Sequence, residues 1–377
     1  MTRSLWCIFA VGAFALCSFA PSSPVQSAAT ASIDHYAARE MARQHIPGMA
    51  VGIFRSGKIV FAKGYGLSNV ELNVAVKPAT LFQSGSVGKQ FTATAIMMLV
   101  EEGKIGLGDS LPKYFPGAPS SWRGITVRHL LSHTSGLTDY TSDSVTKPGG
   151  QISYRLDYTE AQLVLIIETL PIEFAPGDKW EYCNSNYVLL GAIIRNVSGQ
   201  FYGDFLQQRV FKPLGMTSTR IISERDIIPN RASGYELVEG TMKNQEWVSP
   251  SLNTTGDGAL YFNVLDLAKW DAALYGEKIL RKSSLDQMWT IAKLNDGTPN
   301  PESYGFAWFI DSVSGHRVIE HSGSWQGFEA YIARYIDDRI TVVVLMNLGG
   351  VNPKPIAHSI AGLYAHALTP SADTTKS

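Results

Sequence analysis

Ser86-Val87-Gly88-Lys89 sets a hydroxyl and an amine three residues apart at the head of an apolar run. On a helix such a pair shares one face, so the Lys89 amine reaches the Ser86 hydroxyl. A serine hydroxyl is a weak nucleophile until a neighbouring base takes its proton, and this tetrad supplies both groups within one turn. The same spelling occurs at Ser110-Leu111-Pro112-Lys113 and Ser144-Val145-Thr146-Lys147. Pro112 disfavours helical backbone at Leu111. Pro148-Gly149-Gly150 is a helix stop directly after Lys147, so that pair is not expected to be held together. Gly88 to Glu102 instead carries Phe91, Ala95, Met98 and Leu99 at helical spacing and ends at Gly103. Ser86 is thus placed at a helix N-terminus, where unpaired N–H groups favour developing negative charge. Taken alone, Ser86 reads equally well as a capping residue.

Two further elements lie downstream. Tyr182-Cys183-Asn184 follows the turn Pro176-Gly177 and precedes a helical run from about Asn186, which puts the triplet on a loop held by rigid flanks. Tyr261-Phe262-Asn263 repeats the spelling, but there Asn263 reads as the N-cap of a helix from Val264 to Tyr275, with Asp266 at its third position. His321-Ser322-Gly323-Ser324 ends a short strand, Val318 to Glu320, and Gly323 lets another backbone or a substrate approach closely. Each of these, read singly, has a structural explanation.

The chain reads as strands, then helices, then strands. Met49 to Phe54 and Ile59 to Ala62 form a hairpin around Arg55-Ser56-Gly57. Ala330 to Ile336 and Ile340 to Met346 form another pair around Asp337-Asp338, and Ile356 to Leu368 a closing helix. Thr126 to Leu131, Thr159 to Leu170, Asn186 to Val197 and Phe201 to Phe211 are helical candidates between them. This order predicts an α/β (α+β) fold: an antiparallel sheet from both chain ends (about 30–84 and 236–370), flanked by helices, with a mostly helical region (about 85–235) inserted.

A chain of 377 residues with 45% apolar and 17% charged residues buries a large core. A net charge of −1 gives no electrostatic reason to expect nucleic acid. Arg3 precedes a largely apolar run, Leu5 to Ala20, too short to span a bilayer comfortably, and Ser27-Ala28-Ala29 follows. Residues 1–29 are therefore expected to be a cleaved secretory signal, with a retained anchor as the alternative. Without it, no stable membrane insertion is expected. The domain proper would run from 30 to 370, followed by a flexible tail. Cys7 and Cys17 would leave with the signal, so Cys183 stands alone and no intramolecular disulfide forms.

The three elements together resemble the motifs of the serine β-lactamase and penicillin-binding-protein superfamily, in the branch of class C β-lactamases, D-stereospecific peptidases and related esterases. Leu130 to Leu137, Phe174 to Gly177, Tyr187 to Gly191, Pro213 to Met216 and Gly258 to Leu260 fit that branch too. The resemblance implies the β-lactamase/transpeptidase-like fold and a cofactor-free acyl-enzyme mechanism. By it, Ser86 is the nucleophile, Lys89 moves its proton, and Tyr182 is the general base or acid. Asn184 would bind the substrate's carbonyl or amide, and the Ser86 and Ser324 amides would form the oxyanion hole, with Gly323 and Trp325 beside the substrate. His321 stands where many members carry lysine, so weaker selection for a substrate carboxylate is expected. The implied substrate is an ester or peptide-like amide, of D-amino-acid or cell-wall origin, in a bacterial periplasm. A β-lactamase remains open, as does a penicillin-binding sensor without turnover.

Other chemistries fit less well. His129 and His133 are four apart, but the Glu of His-Glu-x-x-His is missing and no third zinc ligand is evident, so no metal is expected. No Gly-x-Ser-x-Gly elbow occurs, and Gln90 after Gly88-Lys89 breaks a Walker pattern. Oligomeric state is not legible.

Overall fold

The computed structural model describes residues 24–370, so most of the expected leader and the expected tail lie outside the described residues. Residues 24–29, counted with the leader from sequence, form the first turns of helix α1 (Pro24–Gln44), which the sequence starts only at Ser32.

A seven-stranded antiparallel sheet organises the chain. Its strands are β1 (Gly48–Arg55), β2 (Lys58–Asn69), β3 (Val74–Ala75), β4 (Phe309–Val313), β5 (His316–Trp325), β6 (Phe328–Tyr335) and β7 (Ile340–Met346). They lie in the order β3-β2-β1-β7-β6-β5-β4. The two chain ends meet at the middle, where β1 pairs with β7 from Met49↔Met346 to Arg55↔Ile340. Ser56 and Gly57, both at positive φ, close the first hairpin with a turn whose twist matches that of the strands.

The central strands are buried on both faces, and alternation sorts their side chains. Met49, Val51 and Ile53 of β1 join Val342, Val344 and Met346 of β7 in one cluster. That cluster packs on α1 and on the closing helix α5 (Lys354–Tyr364), through Ile33, Ala37, Ile356 and Ile360. Ala50 and Phe54, with Val343 and Leu345, face a larger core. This core holds helix α2 (Lys89–Glu101), helix α3 (Asn184–Ser198) and helix α4 (Val264–Ala273). Asn263 caps α4, its side chain accepting from the Asp266 N–H as expected.

One ion pair ties sheet to helix inside this core. Arg334 of β6 and Thr341 of β7 are cross-strand partners, and both donate to Asp271 Oδ1 of α4, at 2.8 and 2.7 Å. Neither charge reaches solvent: the side chains are 0% and 1% exposed. The guanidinium lies over the rings of Tyr275 and Trp289.

The expected sheet region from 236 differs in one respect. The large sheet resumes only at Phe309; before it come α4, a second helix (Lys282–Met288) and a two-stranded ribbon (Tyr235–Val238 with Thr241–Asn244). Strand β5 is also longer than Val318 to Glu320. It continues through Trp325, paired with β6 as far as Trp325↔Phe328, and the edge left free where β4 pairing ends at Glu320↔Phe309 packs on the turn Gly85–Gly88. Ser and Gly have low strand propensity and hide this extension in the sequence. The Ser144 copy of the tetrad lies in a single helical turn, Asp143–Thr146, and Ser144 pairs with Ser142 rather than Lys147.

Candidate active site

Ser86 lies in a 3₁₀ turn, Gly85–Gly88, that leads directly into α2. The turn is wedged against β5 by two glycines. A Cβ on Gly85, which has φ +47°, would stand 2.5 Å from the Ser324 amide nitrogen. A Cβ on Gly323 would meet the Ser84 carbonyl oxygen at 2.1 Å and the Ser86 amide nitrogen at 2.8 Å. This mutual approach packs the turn that carries the Ser86 amide directly on the strand that carries the Ser324 amide, the two groups that the resemblance assigns to an oxyanion hole. Replacing Gly323 by alanine forces the turn off the strand, since the obstructing atoms are backbone. Gly323→Ala is expected to lower kcat about 100-fold or more with the fold retained, as for a displacement of roughly 1 Å. Steady-state kinetics beside circular dichroism checks this, and unchanged kcat would refute the wedge.

Lys89 is wholly buried, and its Nζ meets three oxygens: Ser86 Oγ at 2.9 Å, Asn184 Oδ1 at 2.7 Å and the Asp257 carbonyl at 2.7 Å. It also lies 4.9 Å from the centre of the Tyr182 ring. Burial pulls its pKa down to about 8, against the opposing charges of Asp257 and Asp139. Burial acts in the opposite direction on Tyr182, holding its phenol well above the ordinary range, with Ser86 the main opposing influence. The Tyr182 hydroxyl is buried without a hydrogen-bond partner. Both groups are thereby pushed towards their neutral forms.

Asn184 opens α3 rather than lying on a loop, and it borders the cavity beside Ser86. Nδ2 donates to Asp139 Oδ2 and Thr141 Oγ1, both at 3.1 Å, while Oδ1 accepts from Lys89. Asn184 thus also braces the lysine. His321 Nδ1 lies 2.6 Å from the Ser322 carbonyl, which can only accept, so Nδ1 carries the proton and Nε2 accepts from the Tyr304 hydroxyl at 3.0 Å. Burial pulls this imidazole down to about 3. It is neutral; no hydrogen bond joins it to Ser86 or Lys89, and its ring lies 6.2 Å from that of Tyr182 between centres. The imidazole beside Tyr182 is His133, whose ring stacks at 4.3 Å between centres. The zinc spacing also dissolves: His129 Nδ1 accepts from the Thr126 N–H and His133 Nδ1 from the Cys183 N–H. Cys183 itself is buried, donates to the Leu137 carbonyl, and has its thiol pushed up by burial.

A cavity of about 260 Å³ opens on Ser86, bordered by Asn184, Ser324 and Trp325 among others. Trp325 is a wall, as expected, held by its Nε1 donating to Asn253 Oδ1 at 2.6 Å and by the edge of Tyr154. The Ser324 hydroxyl points away from Ser86's partners and donates to Glu329 Oε1 at 2.8 Å. Burial raises the Glu329 carboxyl to about 7. Sequence reasoning missed Asp139, Tyr140, Tyr154 and Asp257. Asp257 had one signal, its place immediately before the fitting segment Gly258 to Leu260.

Fold and site together define a β-lactamase/transpeptidase-like protein, and the family model for beta-lactamase matches residues 33–366. The chain belongs to the beta-lactamase family. It is 33% identical over 304 residues to penicillin-binding protein 4* of Bacillus subtilis (strain 168), covering 77% of this chain and 66% of that protein. An octameric penicillin-binding protein homologue from Pyrococcus abyssi superposes with a TM-score of 0.77 at 31% identity, over 89% of this chain and 77% of that one. A D-stereospecific amidohydrolase from Streptomyces sp. superposes with a TM-score of 0.72 at 26% identity, over 89% and 98%. The chain spans just under two thirds of the length of the B. subtilis relative.

Proposed function

We propose that this chain is a serine hydrolase that cleaves an ester or peptide-like amide through an acyl-enzyme on Ser86. One observation carries the proposal. Of the three oxygens around Lys89 Nζ, Asn184 Oδ1 and the Asp257 carbonyl can only accept, so they engage two N–H bonds. When Lys89 loses a proton, the lone pair is left towards the third oxygen, Ser86 Oγ. The amine is then placed to take the hydroxyl proton as Oγ attacks the substrate carbonyl carbon. Charge develops on the carbonyl oxygen against the Ser86 and Ser324 amides. The bond to the leaving group breaks as the neutral Tyr182 phenol gives that group a proton, and the proton held by Lys89 passes back to the phenol, so that both groups return to their starting forms. Water then cleaves the acyl ester by the reverse sequence and restores Ser86.

The base in this scheme is neutral Lys89, which sets the sign of the pH dependence. Below about pH 8 the amine is protonated and idle. The value of kcat/KM should therefore rise roughly tenfold per pH unit up to about 8 and then level. A flat profile from pH 6 to 9 would exclude the lysine as base.

Labelling with a fluorophosphonate, followed by intact mass and peptide mapping, tests the nucleophile. An adduct on Ser86 is expected, and labelling elsewhere refutes the proposal. Labelled penicillin separates the finer readings. A fast-decaying adduct marks a β-lactamase, a persistent one a sensor, and none at all leaves esters and amides. A D-amino-acid or cell-wall substrate gains support from the D-stereospecific Streptomyces neighbour. Export to a periplasm is part of the same proposal, resting on the apolar run Leu5 to Ala20, and N-terminal sequencing of the mature protein tests it.

A further inference from the structure

We propose that the pocket beside Ser86 selects substrates carrying a free ammonium group, with the Asp257 carboxylate as the specificity-determining contact. The inference rests on the hydrolase reading above and goes further, to the charge of the substrate.

The cavity wall contains one charged side chain, Asp257. Its Oδ2 accepts from the Tyr140 hydroxyl at 2.8 Å, while no described residue donates to Oδ1. Tyr140 is buried, and its phenol is held in the protonated, donating form by burial and by Asp257. The carboxylate is thus oriented by one fixed donor and keeps acceptor capacity for another. Three aromatic side chains, Tyr140, Tyr154 and Trp325, line the same cavity. Aromatic faces attract a cation and offer nothing to an anion.

Among the described residues no cation hydrogen-bonds the Asp257 carboxylate, and Lys89 acts on it only through its charge. Lys89 is fully buried with three oxygen partners, and His321 is neutral and bonded to Tyr304 and Ser322. Asp139, the other nearby carboxylate, is already engaged by the Asn184 N–H and Nδ2 and by the Thr141 N–H and hydroxyl. A substrate carboxylate would therefore meet a like charge and no donor cation. A substrate ammonium would meet an accepting oxygen and aromatic walls. A cavity of about 260 Å³ suits one amino-acyl unit rather than a long peptide.

Asp257 could instead serve only as a counter-charge for Lys89, since the two interact. That role would affect every substrate alike, so the informative quantity is a ratio of substrates within one variant. The 4-nitroanilides of D- and L-alanine, each with a free and an N-acetylated amine, are compared at pH 7, with 4-nitrophenyl acetate reporting the serine chemistry. The wild type should favour the free amine in kcat/KM by roughly 10- to 100-fold, as for a charge-assisted hydrogen bond. In Asp257→Asn that preference should fall towards unity, mostly through KM. Asp257→Glu should retain its direction, and Tyr140→Phe, which frees the carboxylate, should shrink it several-fold. A preference for the acetylated substrate, or a ratio unchanged in Asp257→Asn, overturns the inference while 4-nitrophenyl acetate turnover leaves the hydrolase reading intact. Absence of turnover and of Ser86 labelling overturns both.

Discussion

Ser86→Ala is expected to lower turnover of any ester or amide substrate by about four to six orders of magnitude. The loss is large because the hydroxyl is the bond-forming atom and the rest of the site is arranged around it. Lys89 loses one of three oxygen partners, and the two amides of the oxyanion hole lose the atom whose attack creates their charge. What survives is binding and the oxyanion hole acting on water, which explains a residual rate rather than none. The alanine leaves Asn184 and the Asp257 carbonyl on Lys89, so the fold should be unchanged. Burst kinetics with 4-nitrophenyl acetate measures the effect. A variant retaining more than about one per cent of wild-type turnover would mean that another group carries the acyl transfer.

The largest effect on stability is expected at Asp271, far from Ser86. Asp271→Ala removes the only anion paired with Arg334 among the described residues and leaves that guanidinium buried between β6 and α4. Its Nη1 and Nη2 already have no hydrogen-bond partner, so the aromatic rings are its remaining support. Breaking one side of such a pair costs about 3–5 kcal/mol. Set against a total of about 5–15 kcal/mol for a folded domain, that is a large fraction. Urea denaturation should show the midpoint falling at constant slope. Combining Asp271→Ala with Arg334→Met should recover much of the loss, because no stranded charge remains. A single-variant loss under about 1 kcal/mol would show that the rings alone support the cation.

The fold was legible where patterns are local. The hairpin at Ser56-Gly57, the alternation in Ile340 to Met346, the N-cap at Asn263 and the α2 periodicity each depend on residues a few positions apart. The same holds for Ser86 and Lys89, one turn apart and 2.9 Å between heavy atoms. The length of β5 was not legible, since Ser322-Gly323-Ser324 is held extended by its pairing with Tyr331, Ala330 and Glu329 of β6. Strand β4 was missed as well, being an edge with exposed residues at Asp311 and Ser312.

Much of the site's chemistry depends on groups that the chain order separates. Asn184 and the Asp257 carbonyl lie 95 and 168 positions from Lys89, and nothing in their spelling marks them as its partners. His321 could be read as neutral from its residue type, but its pairing with Tyr304 could not. The role of Asp257 was likewise hidden, because it depends on its place in the cavity wall and on Tyr140, which lies 117 positions away.

The sequence by itself determined the antiparallel sheet from both chain ends, the inserted helices, and the pairing of the Ser86 hydroxyl with the Lys89 amine. Those follow from backbone sterics and side-chain spacing within a turn or a strand. Tertiary structure alone decided which oxygens surround Lys89, that Asn184 braces it, and that Asp257 borders the cavity. The reason is physical: a pKa or a binding preference is set by burial and by every polar group within a few ångströms, and folding draws those groups from the whole chain.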